Sequence, residues 1–462
     1  MSHYCTELPY QPDGSRYYAA LADLPWAVWL DSGGVARYDI LTAAPQQSIV
    51  LDEKTICNDP FALLRAALGE KLTPIADVPF AGGALGYWSY DLARRMMALP
   101  NIAQDDGQLP DMAIGIYDWA VVLDHHQHTA HLVSRRRFPE TATLLPQILH
   151  RLKSLPPLPS DTFRVHGQIS SNFAPDSYAA AFTVVQDYLR AGDCYQINLA
   201  QRFSANADGD AFGAYLALRE LSPAPYAAFL NFPHAQILCA SPECFISVQN
   251  GEVKTKPIKG TRPRGSDAQQ DHLLAEELRN HPKDRAENLM IVDLLRNDLG
   301  KSCMPGSVHV PELFKVESFA NVHHLVSTVE GQLPAERDAL DVLRDCFPGG
   351  SVTGAPKLRA MQIIEQLEPD RRGVYCGAIG YIGFDGNMDT NIAIRTLVHR
   401  NGKIYCWAGG GVVADSGMAA EYQETLDKAS AMLDLLQRYG GVMSATLNKS
   451  AIVQRPVARS LV

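Results

Sequence analysis

ILCASPECFISVQNGEVKTKPIKGTRPRG, residues 237–265, carries the most telling local pattern in the chain: two β-branched runs on either side of Asn250-Gly251. That dipeptide is the strongest short-range signal for a hairpin with a two-residue type I′ turn. Such a turn pairs Gln249 with Glu252, so facing positions sum to 501. Glu243 then faces Ile258, and Lys259 faces Pro242. The register brings Glu243 and Lys259 within one step of each other but points them to opposite faces. A β-bulge, or loss of pairing at Pro257, is needed to put both in one cavity. Otherwise they are ordinary charges on a solvated hairpin.

Beyond the hairpin, HPKDRAENLMIVDLLRNDLG (281–300) predicts a helix that enters at Pro282 and stops at Gly300. Ala286, Leu289, Val292 and Leu295 form its apolar stripe, with Asp284, Glu287 and Arg296 off it. ADSGMAAEYQETLDKASAMLDLLQRY (414–439) predicts a second helix, capped by Asp415 or Ser416. It buries Tyr422, Leu426, Ala429, Leu433 and Leu436, and it gathers Glu421, Glu424 and Lys428 on another face through i,i+3 and i,i+4 spacing. Two Glu-bearing helices are able to supply the few carboxylates that a magnesium ion takes, with water and ligand oxygens completing six. Taken alone, each is equally a helix with a charged outer face.

Gly409-Gly410-Gly411 precedes the second helix, and such a run lets backbone N–H groups approach an anionic ligand closely. In DTNIAIRTLV (389–398), Arg395 interrupts an apolar strand. A buried arginine needs a partner, and a ligand carboxylate is one candidate. His324, in VHHLVSTVEG, is by itself as easily a core or surface histidine.

Upstream, PWAVWL and ARYDILTAA (25–45) and the stretch 112–137 read as strands, with FALLRAALGE between them as a short helix. LPPLPS (155–160) is the best linker. The chain therefore divides into an N-terminal region 1–160, a region 170–438 opened by the helix at 177–193 and the strand YQINLAQRF, and a polar, peripheral tail 439–462.

The 462 residues are 46% hydrophobic and 20% charged, ordinary globular usage. A net charge of -10 argues against nucleic acid and against an anionic membrane surface as partners, so any anionic ligand must meet local positive charge. The start lacks a signal-peptide pattern and no apolar run reaches a membrane span, which makes the cytoplasm the default. Nine scattered cysteines without a CxxC pair suit buried thiols in a reducing compartment better than disulfides or zinc.

Individually these signals are weak, but their order is specific. SPE, PIKGT, ENLMIVDLLRND, HHLVSTV, PGGSVTGAPK, IAIRT, AGGGVVADS and EYQET in succession, over roughly residues 185 to 437, resemble the chorismate-utilising enzymes. That family includes anthranilate synthases, aminodeoxychorismate synthases, isochorismate synthases and salicylate synthases. The N-terminal LDSGG, ARYDI and GGALGYWSYDLARR resemble the first two. The resemblance implies an α/β (α+β) fold of two packed large antiparallel sheets with helices outside. It implies Glu287 and Glu424 as Mg2+ ligands with Asp284 and Glu421 in their outer shell. Tyr375, Arg395, Gly409, Gly410, Gly411 and Lys428 are expected on the substrate carboxylates, His324 and Ser351 around the ring, Gln196 and Thr261 among the substrate-binding residues, and Glu243 as general acid.

Within the family Lys259 discriminates. The PIKGT lysine resembles that of aminodeoxychorismate synthases, where it is proposed to attack the ring, whereas anthranilate synthases carry alanine there. Gln196, where a water-adding member is expected to carry an activating lysine, disfavours isochorismate and salicylate chemistry. The resemblance thus implies amination of chorismate with ammonia to 4-amino-4-deoxychorismate, on the way to para-aminobenzoate and folate. The ammonia would come from a separate glutamine amidotransferase subunit in a heterodimer. A lysine nucleophile must be neutral, so its pKa must fall well below the ordinary value of about 10.4. The rivals are anthranilate formation with release of pyruvate and, from another class, a non-catalytic aromatic amino-acid sensor. The family's aromatic amino-acid pocket, near Ser32 and Tyr38, is a possible tryptophan site.

Overall fold

The turn forms where the sequence puts it. In this computed structural model, which describes residues 3–319 and 322–447, Gln249 pairs with Glu252, Val248 with Val253 and Ser247 with Lys254. Asn250 (φ 53°) and Gly251 (φ 85°) both take the positive φ that a type I′ turn requires.

The two strands, Cys244–Gln249 and Glu252–Thr255, then part company. The first pairs onward with Met388–Ile392, and the second with Val322–Gln332. Past Pro257 the chain resumes as Ile258–Pro263, still on Val322–Gln332 and no longer on the hairpin partner. The register slips by one between Lys259 and Thr261, a bulge centred on Gly260 (φ 75°). A Cβ at Gly260 would come within 2.8 Å of Asp284 Cγ and of Leu278 Cδ1, so glycine is what lets the helix pack there.

Among the described residues one sheet has thirteen strands and the other ten. Pairing between these strands is antiparallel except between Val442–Met443 and Arg164–Ser171; an isolated bridge, Gln104 with Asp370, is also parallel. The larger sheet centres on the long pair Gln196–Asp208 and Lys403–Val412. One hydrophobic core lies between the sheets, and a second lies between the larger sheet and helices that include Pro175–Ala191, Phe212–Leu221, Lys357–Leu367 and Met418–Arg438. Strand alternation divides the residues: Tyr405 and Trp407 enter the inter-sheet core, while Ile404, Cys406, Ala408 and Val412 enter the helix-covered one.

The N-terminal strands share these sheets. Ala27–Asp31 and Tyr38–Thr42 join the larger, Gly83–Trp88 and Met112–Tyr117 the smaller, and Pro60–Leu68 is helical. Residues 155–163, which include LPPLPS, carry no regular structure. Of the expected tail, 448–462 lies outside the described residues.

Three local expectations are corrected. The helix Pro282–Gly300 has the expected ends, but Ala286 and Leu289 are exposed. Its buried side is Asn288, Ile291, Val292, Leu295, Asp298 and Leu299. The first of these is polar and bonds to Ser327 Oγ and the Leu325 carbonyl, so a search for apolar periodicity passes over it. The helix Met418–Arg438 buries all five expected residues, but neither Asp415 nor Ser416 caps it. Ser416 Oγ instead donates to Glu421 Oε1 at 2.6 Å. Arg395 does not sit inside a strand. It occupies the crossover (φ 50°) between Met388–Ile392 of the smaller sheet and Thr396–Arg400 of the larger. The flanking run is apolar because it passes between two packed sheets.

Candidate active site

The crossover at Arg395 opens the site. The last pairing of Thr396–Arg400 with Lys403–Val412 is Leu397 with Cys406, so beyond Cys406 the latter strand is paired only with Gln196–Asp208. Along that unpaired edge Trp407, Ala408, Gly409 and Gly411 line a cavity of about 700 Å³. The glycines are thus part of a strand rather than a loop. Gly410, on the opposite face, faces the helix, where a Cβ would lie 2.9 Å from Glu421 Oε2.

Glu243 and Lys259 line the same cavity, because the parting of the hairpin removes the register that would have separated them. Glu243 is 6% exposed. Burial pushes its carboxyl up from the usual range against the pull of Lys259, with Ser351 hydrogen-bonded to it. Lys259 Nζ donates to the Ser351 carbonyl at 3.3 Å. Burial, then the neighbouring Lys428, hold its pKa below the ordinary lysine value despite Glu243, Glu287 and Glu424. Both groups are therefore pushed towards their neutral forms.

Arg395, Tyr375, His324, Thr261 and Ser351 complete this wall. Among the described residues Arg395 makes no ion pair, although its guanidinium is largely withdrawn from water and its pKa is lowered by burial. Thr261 Oγ1 lies 2.9 Å from His324 Nδ1, and burial with Arg395 nearby lowers His324 to about 4. Adjacent strand residues point to opposite faces. Accordingly His323 turns away, between Ser318 Oγ (2.8 Å) and Asp271 Oδ1 (3.0 Å). Tyr375 stacks on Trp407, with centroids 6.1 Å apart and planes 8° apart.

The opposite wall is acidic. Asp284 and Glu287 come from the Pro282–Gly300 helix, and Glu424 and Lys428 from Met418–Arg438. Lys283 Nζ lies 3.8 Å from Glu287 and 3.7 Å from Glu421, while Lys428 holds Glu424 at 2.6 Å and donates to the Gly409 carbonyl at 3.1 Å. Burial raises Glu287 and Glu421. For Glu424 burial pushes up, but Lys428 and the other lysines win and hold it low.

Three expected residues stand behind the wall rather than on it: Gly410, Glu421 and Gln196. Gln196 is 1% exposed, and its amide nitrogen would lie 2.9 Å from a Cβ on Gly411. Asn198, two residues along the same strand, lines the cavity instead. With Lys283, Arg262 and Asp427 it was missed by sequence reasoning; for Asn198 the period of two from Gln196 was the available signal.

A second cavity, of about 390 Å³, is lined by Asp31, Tyr38, Tyr226, Tyr381 and Asp389, and shares Pro242 and Ile258 with the first. Ser32 is buried outside it, its N–H donating to Asp39 and its Oγ accepting from Gly34. Burial pushes Asp389 up to about 7, and its Oδ1 has no hydrogen-bond partner among the described residues.

Comparison with known proteins identifies the chain's relatives. Aminodeoxychorismate synthase component 1 of Escherichia coli is 48% identical over 91% of this chain and 96% of its own length. Anthranilate synthase component 1 of Thermus thermophilus is 40% identical over 83% and 84%. The crystal structure of anthranilate synthase component I from Streptococcus pneumoniae superimposes with a TM-score of 0.78 at 37% identity, covering 86% of this chain and 92% of that one. The family model for chorismate binding enzymes matches residues 27–434, and the chain belongs to that family.

Proposed function

We propose that this chain is the chorismate-aminating component of an aminodeoxychorismate synthase. It exchanges the C4 hydroxyl of chorismate for an amino group, with ammonia from a separate glutamine amidotransferase subunit. The observation that carries this reading is the pairing of a lysine held below its usual pKa with a carboxyl held above its own in one cavity.

Chorismate is a dicarboxylate. Arg395, Tyr375, Lys428 and the glycine edge offer donors on one side of the cavity. Neutral Lys259 Nζ attacks ring C2, the two ring double bonds shift from C1=C2 and C5=C6 to C1=C6 and C4=C5, and the C4–O bond breaks. Glu243 gives its proton to the departing hydroxyl, which leaves as water, and the resulting carboxylate takes the proton lost by the new secondary ammonium. Ammonia then attacks C4, both double bonds shift back, and the C2–N bond to Lys259 breaks, with Glu243 passing the proton from the new ammonium to the departing amine. The balance is chorismate plus ammonia giving 4-amino-4-deoxychorismate plus water.

The acidic wall fits a magnesium ion. Glu421 Oε2 is buried with no hydrogen-bond partner, and like charges from two helices are brought together. Among the described residues no three His, Cys, Asp or Glu side chains are grouped to hold an ion unaided. Glu287 and Glu424 would therefore hold it with water and substrate oxygens. When bound, the ion offsets the charge of a substrate carboxylate as the ring bonding rearranges.

The second cavity suits an aromatic amino acid such as tryptophan, its ammonium towards Asp389 and its ring among tyrosines. We place the protein in the cytoplasm: among the described residues no helix is long and apolar enough to cross a membrane, and its nine cysteines are free.

Incubation with chorismate, Mg2+ and ammonium tests the function. Accumulating 4-amino-4-deoxychorismate is expected. Fluorescent anthranilate with pyruvate would transfer the chain to the rival activity, and no turnover would leave the sensor reading.

A further inference from the structure

Arg372 is 1% exposed, and no part of its charge is spent on solvent. Its Nε and Nη2 form a fork on Glu368, at 2.9 and 2.6 Å. The remaining donors go to backbone carbonyls: Nη1 to Val352 at 2.8 Å and Nη2 to Asn198 at 2.7 Å. Glu368 in turn accepts from the Ala200 N–H at 2.9 Å. The guanidinium also lies between two rings, 4.8 Å from the centre of Tyr90 and 5.8 Å from that of Tyr375.

Three of these contacts, with Val352, Asn198 and Tyr375, lead to the cavity. Ser351, directly before Val352, presents its carbonyl to Lys259 and its hydroxyl to Glu243. The turn is pinned again by Asn198, whose amide donates to the Val352 carbonyl and whose N–H donates to that of Thr353. One buried cation thus ties together the Ser351 turn, the cavity-lining strand at Asn198 and the Tyr375 ring. Any buried guanidinium must satisfy its donors, and what matters here is where they go. The two further bonds to carbonyls of separate segments fix distances between cavity walls.

We infer that Arg372, with Glu368, is a positioning residue for amination: it sets the Ser351 turn, and through it the placement of Lys259 against Glu243. This rests on the reading of Lys259 and Glu243 given above. A displacement of about 1 Å at such a site can cost on the order of a hundredfold in rate. Arg372→Lys keeps the charge but cannot serve Glu368, Val352 and Asn198 together. Arg372→Met with Glu368→Leu keeps the volume, leaves no buried charge unpaired and removes both carbonyl bonds.

Two readouts are needed, on full-length protein, alongside Leu218→Ala as a comparably destabilised control in the helix-covered core. The first is steady-state kinetics in chorismate with Mg2+ and ammonium. At least a tenfold loss of kcat with KM within about threefold is expected for both variants, and not for the control. The second needs no substrate: the pH dependence of Lys259 labelling by an amine-acylating reagent, read by mass spectrometry. The labelling midpoint should move in the variants and not in the control. If the parent fails to aminate chorismate but the midpoint still moves, the positioning role stands and the function fails. If the folded double variant keeps the parent's kcat and labelling midpoint, or if Leu218→Ala loses as much of both, Arg372 is a core residue only. If neither variant folds while the control does, the positioning role is likewise overturned in favour of a structural one.

Discussion

Replacing Arg395 by lysine separates substrate binding from stability more cleanly than any other change in the cavity. The guanidinium sits at a crossover between sheets and makes no ion pair among the described residues. Lysine keeps the positive charge near the buried Glu243, so the change strands no buried carboxylate, the usual source of large losses. Lysine tolerates the same backbone (φ 50°) no worse than arginine does. The melting temperature should move by no more than about 2 °C. What is lost is the planar fork. A hydrogen bond between charged groups contributes about 1.5 to 3 kcal/mol, and losing one from a two-bond clamp on a carboxylate weakens binding by roughly 10- to 150-fold. If the clamp holds ground and transition states alike, KM rises by that factor while kcat stays within about threefold. Initial rates across chorismate concentrations, with product resolved by chromatography, give both constants, and thermal unfolding gives the third. An unchanged KM, or a melting temperature lowered by many degrees, would make Arg395 a structural residue and remove the clamp from the reading.

Lys259→Ala should retain chorismate binding and lose most turnover, leaving only direct attack by ammonia; mass spectrometry of the parent without ammonia should find chorismate minus water on Lys259. No adduct, with the alanine variant as fast as the parent, would end the covalent route. Glu287→Gln and Glu424→Gln should each raise the magnesium concentration for half-maximal rate at least tenfold, and chelation of the parent should abolish activity; indifference to both would remove the ion from this wall. His324 titrates near 4 when folded and near 6.5 when unfolded. As pH falls below 6.5 the unfolded chain takes a proton that the folded one refuses, so stability is lost down to about pH 4. His324→Gln should recover up to about 3 kcal/mol at pH 4.5 relative to pH 7.5 in denaturant unfolding, and an equal loss in both proteins would contradict this. Asp389 runs the other way, because its raised value of about 7 keeps a proton that the unfolded chain gives up near 4. Asp389→Asn should stabilise the protein at pH 8 by about 1 to 4 kcal/mol while abolishing binding of an aromatic amino acid to the second cavity, measured by calorimetry.

Local sequence determined more of this protein than its size suggests. Asn250-Gly251 set its turn and register because type I′ geometry depends on the two turn residues alone. Pro282 and Gly300 bounded their helix, and the stripe from Tyr422 to Leu436 oriented the other, because period and end signals are carried within one segment. The family resemblance then named the cavity side chains, most of which share one lining.

Other features lay beyond any single segment. The turn's register separated Glu243 from Lys259, and only the third strand, Val322–Gln332, drew Ile258–Pro263 away and brought the two together. Asn288 in a core stripe and Arg372 among backbone carbonyls are polar residues whose partners are distant in sequence, so hydropathy assigns them to the surface. The glycine run was legible as backbone open to a ligand, but that it is the unpaired edge of a strand follows from the neighbouring strand, whose pairing ends at Leu397–Cys406. Gln196, expected at the substrate, lies on the same strand face as Asn198 but at the strand's end, buried beside Gly411 and the paired Gly354–Ala355, and only packing between distant segments closes it off from the cavity. Period and propensity are properties of one stretch of chain, whereas pairing partners, burial and the pKa of Lys259 or Glu243 arise from several stretches meeting, and these the tertiary structure alone decided.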